Sequence, residues 1–264
     1  MKCSAILLFS STLLCPVNAH YLFGRLILDG KWTKTWEYIR EVSPAQGMDP
    51  AYAIVAPNTE PNSPDLRCGR NASVSWSQVK TATVRAGDTV GFAAGEPVLQ
   101  GDRKPWMYHP GFASAWLSKS PTEDLHAYTG DGDWFKILVV TGRTEQSIDL
   151  SDPENNPYDP MKAIWGTYRA DSWNFTIPAK TPPGRYLLRF EHIFPNQVDA
   201  QFYVNCAHVE IVNTSGDIGT PGPLVKIPGV YERGQPDVYF SSYAESFNIS
   251  TFVPPKPAVW TGLE

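Results

Sequence analysis

The chain predicts an all-β sandwich, and three observations carry that prediction. Short runs rich in β-branched and aromatic residues recur along it, with turn signals between them. Glycine and proline, 20 and 24 of the 264 residues, are scattered as punctuation and not gathered into a linker. Helical periodicity over any long stretch is missing, which leaves packed sheets to bury the core. No repeat, low-complexity block or charge run divides the sequence. Residues 20–264 therefore read as a single domain, a length that large all-β domains reach.

The elements follow in order. Tyr21–Leu28 is the first run, then Ser73–Val84 and Thr89–Ala94, with the turn Arg85-Ala-Gly-Asp88 between those two. Phe135–Val140 and Trp173–Ile177 come next. The signal Thr181-Pro-Pro-Gly184 introduces Arg185–Phe194, and Gln201–Val212 closes the series. Asp159–Trp165 reads as a short helix. Strand parity sorts the last two runs into faces. Tyr186, Leu188, Phe190, His192 and Phe194 share one side of Arg185–Phe194. Phe202, Val204 and Cys206 share one side of the final run, and their apolar character makes that side the expected core face. Gln201 and Tyr203 then point together towards something else.

Residues 1–19 read as a secretory signal peptide. Lys2 supplies a positive start, Ala5–Leu14 an apolar run of about ten residues, and Val17-Asn18-Ala19 a cleavage site with small side chains. That run is too short for a transmembrane helix, and no later stretch approaches ~20 apolar residues. The expected location is extracellular. Cys3 and Cys15 leave with the signal, and in an oxidising compartment the remaining Cys68 and Cys206 are expected to pair. The sequons at Asn71, Asn174, Asn213 and Asn248 become candidate glycan acceptors in the same compartment. The formal charge of −5, one unit more negative without Lys2, excludes a basic nucleic-acid footprint and a polybasic membrane patch.

Cleavage after Ala19 exposes His20 as the first residue. An N-terminal histidine offers an α-amine and a ring Nδ1 close enough to chelate one ion, and the amine loses its proton to a metal at modest cost near neutral pH. A second imidazole would complete a planar three-nitrogen set, which favours copper(II) among common divalent ions. Four histidines are available. His109 lies in the turn Tyr108-His-Pro-Gly111, where a following Pro-Gly can fix a loop side chain towards solvent. His126 reads as a solvated loop residue, His192 as a hydrogen-bonded core histidine and His208 as a surface residue. His109 is preferred, although spacing alone does not choose it.

Several motifs stand in order: His20-Tyr-Leu-Phe23, Trp36-Glu-Tyr-Ile-Arg40, Asp65-Leu-Arg-Cys-Gly69, His109-Pro-Gly111, Trp134-Phe-Lys-Ile137, Ile177-Pro178, Gly184-Arg-Tyr-Leu-Leu-Arg-Phe-Glu191 and Gln201-Phe-Tyr-Val-Asn-Cys206. The series resembles the fungal lytic polysaccharide monooxygenases of auxiliary activity family nine, from His20 to about Tyr231 with a weaker tail to Trp260. The resemblance implies an immunoglobulin- or fibronectin-like antiparallel sandwich with long loops and a flat face bearing one copper ion in a histidine brace. His20 would bind through its amine and Nδ1, and His109 through Nε2. Tyr203 matches the axial tyrosine, Gln201 the glutamine that hydrogen-bonds oxygen species, and Cys68 and Cys206 the family disulfide. Tyr243 fits a substrate-binding tyrosine near the C-terminus. Asn196 departs from the pattern, standing where the family usually has a histidine; asparagine does not exchange a proton near neutral pH as imidazole does.

The implied partners are a cellulose or other β-glucan surface, an external electron donor, and oxygen or hydrogen peroxide, with the protein acting as a monomer. No separate carbohydrate-binding module is expected after the domain. Two rival readings arise. One is a two-carboxylate glycosidase, against which Glu191 reads as a strand carboxylate paired with Arg189. The other is a copper- or polysaccharide-binding protein with weak or no oxidative turnover, an idea to which Asn196 gives weight.

Overall fold

The computed structural model describes residues 20–72, 78–95, 105–152, 160–244 and 247–263. The proposed signal segment, Ser73 of the first sequon, the start of the run Ser73–Val84 and Asp159 lie outside these residues. Nine strands are described: β1 (Arg25–Leu28), β2 (Lys31–Trp32), β3 (Ala82–Arg85), β4 (Thr89–Ala93), β5 (Phe112–Lys119), β6 (Phe135–Val140), β7 (Ser172–Thr176), β8 (Gly184–Phe194) and β9 (Gln201–Val212). They form a four-stranded sheet in the order β2-β1-β4-β7 and a five-stranded sheet in the order β3-β9-β8-β5-β6. Pairing is antiparallel except between β3 and β9. Among the described residues helix is confined to short pieces, including α1 (Pro50–Ala53) and α2 (Pro160–Ala163), the latter inside the stretch expected to be helical. The fold is the β-sandwich the sequence predicts.

Two strands not foreseen have simple explanations. β2 is only two residues long and fully on the surface, too short to show alternation. β5 reads Phe-Ala-Ser-Ala-Trp-Leu-Ser-Lys and is buried on both faces until its last residue, so no polar position marks its period.

The expected core face of β9 needs correction. Tyr203, Ala207, Val209 and Ile211 join the core between the sheets, with Phe23, Phe92, Phe175 and Phe190. Phe202, Val204 and Cys206 instead line a second core with Leu66, Trp134, Trp165 and Tyr231. Long loops cover the outside of the five-stranded sheet, so both faces of β8 and β9 are buried and parity alone could not rank them.

Cys68 and Cys206 form the expected disulfide, closing a separation of 138 residues and fastening a covering loop to β9. Closing a loop of that length contributes about 5 kcal/mol on the chain-entropy view. Beside it lies a buried polar network. Arg189 and Glu191 are both fully buried and ion-paired. The Arg189 guanidinium donates to the carbonyls of Leu66 and Arg67, at 3.1 and 2.9 Å. Glu191 accepts from Tyr231 (2.6 Å) and Ser114 (3.1 Å), and Trp116 Nε1 donates to Ser114 Oγ. The pairing read from the sequence for Glu191 is present, and its role is to join strands to loops.

His208 is not on the surface. It is fully buried, and its Nε2 accepts from Arg40 Nε at 2.8 Å. Arg40, itself buried, also donates to the carbonyls of Ala72, Leu125 and Tyr128, so one guanidinium ties two further covering segments to β9. His126 is half-buried and packs edge-on against His208, with ring centroids 5.3 Å apart. Burial first, then Arg40 and His126, pushes the His208 pKa down to about 3. Its unfolded value is near 6.5, so between the two values the unfolded chain binds more protons. Neutral His208 therefore stabilises the fold fully above pH ~6.5, and that contribution is lost as pH falls towards 3. Replacing His208 with asparagine is expected to flatten the acid slope of unfolding free energy by about 1.4 kcal/mol per pH unit between pH 6 and 4. Denaturant titrations across that range measure the slope; parallel slopes would refute the assignment.

The four sequon asparagines stand in different settings. Asn71 has a left-handed backbone, φ 58°, and is exposed. Asn174 lies within β7, its main chain bonded on both sides by the Gln146 side chain. Asn213 spends its amide on the carbonyls of Ala179 and Thr181. Asn248 is exposed, with its Oδ1 accepting from the backbone and hydroxyl of Ser250.

Candidate metal centre

One end of the inter-sheet core gathers residues from four segments. His20 and Tyr21 precede β1, His109 precedes β5, Phe194 ends β8, and Gln201 and Tyr203 begin β9. Antiparallel pairing dictates this convergence. Phe194 pairs with Gln201 and His192 with Tyr203 across β8 and β9, while Phe112 pairs with Ile193 across β5 and β8. The approach of the His109 turn depends on Gly111. A Cβ there would stand 1.9 Å from the carbonyl oxygen of Ile193, a distance no side chain tolerates.

Three rings form a near-equilateral triangle. The centroids of His20 and His109 are 6.0 Å apart, those of His20 and Tyr203 6.2 Å, and those of His109 and Tyr203 5.9 Å. Tyr203 is 2 % exposed, and its hydroxyl donates to Gln201 Oε1 at 2.6 Å. Burial raises the Tyr203 and Tyr21 pKa values well above that of a free phenol, so both hydroxyls keep their protons. Burial also lowers the pKa of His20, and with smaller contributions from His20 and Lys162 it pushes His109 down to about 3. Both imidazoles are thus neutral at ordinary pH, the state in which a ring nitrogen can ligate a metal.

His109 Nε2 is buried and has no hydrogen-bond partner. An unpaired buried nitrogen costs free energy unless something else engages it. A metal ion would do so. Among the described residues no three His, Cys, Asp or Glu side chains cluster, so an ion held by the two imidazoles needs a donor of another kind. The main-chain nitrogen of His20 can be that donor once it is a free amine. The residues present fit a two-histidine brace.

The surroundings extend outward. His109 stacks on Phe194 at 4.4 Å with 12° between planes, and Phe194 meets Tyr243 edge-on at 5.6 Å. Tyr243 is 40 % exposed, with the Lys162 ammonium 5.2 Å from its ring centre. It therefore lies at the rim, two ring contacts from His109. Asn196 turns its side-chain oxygen to the backbone N–H groups of Val198 and Asp199, serving the turn between β8 and β9. His192 is the hydrogen-bonded core histidine its neighbours suggested, bonded to Tyr21 and Thr167. Tyr21, Thr167, Phe194 and Lys162 are site residues that local sequence does not mark as such. Their partners are far away in sequence, and only Tyr21, beside His20, carried any local signal.

Comparison with known proteins bears on the same region. The family model described as "Auxiliary Activity family 9 (formerly GH61)" matches residues 20–252. The AA9 family lytic polysaccharide monooxygenase U of Thermothielavioides terrestris is 34% identical over 261 residues, covering 92% of this chain and 93% of the relative. The AA9 family lytic polysaccharide monooxygenase G of Aspergillus tamarii is 37% identical over 264 residues, covering 98% of this chain and 71% of the relative. The crystal structure of HiLPMO9B superposes with a TM-score of 0.66 at 25% identity, covering 92% of this chain and all of that one. Sandwich and relatives together define a class, the lytic polysaccharide monooxygenases. This chain belongs to Auxiliary Activity family 9. It is an oxidoreductase of the kind that cleaves polysaccharides oxidatively.

Proposed function

We propose that the chain is secreted, that removal of residues 1–19 frees the amine of His20, and that residues 20–264 act as one catalytic domain and a monomer. On this reading a single copper ion is held by the His20 amine and Nδ1 and by His109 Nε2, and the substrate is cellulose or a related β-glucan. The observation that supports it most is the triangle of His20, His109 and Tyr203 rings, with a buried, unpartnered Nε2 on His109. Neutral nitrogen donors in a planar set select copper(II). No helix among the described residues is long and apolar enough to cross a membrane.

Copper held by these residues would supply one-electron redox chemistry, with an external electron donor and oxygen or hydrogen peroxide as co-substrate. The protein's own groups do the rest. Partial burial holds the imidazoles of His20 and His109 in the neutral form. Tyr203, whose hydroxyl donates to Gln201, would lie beside the ion with its ring facing both histidines. The Gln201 amide, whose oxygen is occupied by Tyr203, has its NH₂ group to offer a co-substrate oxygen. Tyr243 presents an aromatic surface for a sugar ring, steadied by Phe194 and Lys162.

Mass spectrometry of the soluble products from cellulose tests this reading. With copper, reductant and peroxide, oligosaccharides bearing oxidised ends are expected; with the metal chelated they should vanish. Unoxidised products independent of copper would overturn it in favour of hydrolysis. A copper-loaded protein releasing nothing from any glucan would favour a binding role, the reading that Asn196 supports.

A further inference from the structure

His192 is fully buried and takes no part in the chemistry described so far. Its ring bonds connect the two segments that carry the proposed metal ligands. Tyr21, the residue after His20, places its hydroxyl 2.6 Å from His192 Nδ1. On the far side, His192 Nε2 is 3.0 Å from Thr167 Oγ1. That hydroxyl in turn donates to the carbonyl of Gly111, two residues beyond His109, at 3.2 Å. The directions of all three bonds follow from the last. Thr167 has one proton and gives it to Gly111, so it must accept from His192 Nε2–H. Neutral His192 then carries no proton on Nδ1, which accepts from Tyr21. A closed circuit results, running from His20 through Tyr21, His192, Thr167 and Gly111 back to His109.

Tyr21 also stacks face to face on Tyr203, with centroids 4.0 Å apart and planes at 14°. Strand β1 begins only at Arg25, so main-chain pairing within the sheet does not fix Tyr21. Its hydroxyl bond and its ring contacts do. We propose that His192 is a positioning residue of the metal centre: it anchors Tyr21 against Tyr203 and ties the His20 segment to the His109 turn, setting the spacing of the two proposed ligands and the pose of Tyr203. The proposal rests on the copper-brace reading and adds to it a residue one hydrogen bond from Tyr21 and two from Gly111. Outer partners of this kind tune metal affinity roughly 10–100-fold.

The test uses the processed protein, loaded with copper(II) and read by electron paramagnetic resonance and by competition for copper. Tyr21→Phe removes one oxygen and keeps the stacked ring; His192→Leu removes the acceptor. Both are expected to shift the copper spectrum in the direction given by Tyr203→Phe, and to weaken copper binding by roughly tenfold or more. His192→Asn, which returns an amide near the position of Nδ1, is expected to restore much of the native spectrum. A lower melting temperature alone would not support the proposal, because any core substitution produces one. If His192→Leu does not fold, Tyr21→Phe carries the test. Native spectrum and affinity in Tyr21→Phe would overturn the proposal, as would a Tyr203→Phe spectrum identical to the native one. Failure of the unsubstituted protein to bind copper at all is a different result, one that removes the brace reading and the proposal with it.

Discussion

Replacing His109 with alanine is expected to weaken copper(II) binding by more than ~100-fold, beyond what loss of an outer-shell group costs. His109 contributes one of only two imidazoles at the site, and no third His, Cys, Asp or Glu side chain clusters there among the described residues to take its place. The fold should survive, because His109 is a turn residue whose ring rests on Phe194 and whose Nε2 has no protein partner to lose. Equilibrium competition against a chelator of known affinity, with a thermal melt of the same sample, separates the two effects. Native affinity in a folded His109→Ala protein would remove His109 from the centre.

Replacing Arg189 with leucine is expected to cost about 3–5 kcal/mol of stability. Glu191 would be left in the interior with only the hydroxyls of Tyr231 and Ser114, and the carbonyls of Leu66 and Arg67 would lose their donor. Arg189 pairs across the sheet with Cys206, so the damage falls where the disulfide fastens the covering loop. Urea denaturation of the oxidised protein measures it. A loss under about 1 kcal/mol would mean that the network relaxes or admits water, contrary to its full burial.

Much of the sandwich was legible because β6 and β9 announce their limits through composition and flanking turns; both run over the residues expected. β5 was not, since a strand covered on both sides carries no alternation to read. The same physics reversed the faces of β9. Phe202, Val204 and Cys206 look like core, and they are, but under loops and not between sheets. Within the site, His20 drew attention through the chemistry of a freed terminus, and Gln201 and Tyr203 through parity and family likeness. His208 looked like a surface residue because nothing near it in sequence reveals Arg40, which reaches it across 168 positions. The Tyr21–His192 bond spans 171 positions and was hidden for the same reason. Long-range side-chain pairing is what a single sequence withholds.

A copper(II) titration of two versions of the protein bears most directly on the centre, one beginning at His20 and the other carrying a single alanine ahead of it. The extra residue leaves both imidazoles in place and converts the amine into an amide, which is a far poorer ligand. Tight one-to-one binding to the first version and a loss of ~100-fold or more in the second is the expected result. Equal affinities would contradict a centre that takes the His20 amine as a ligand.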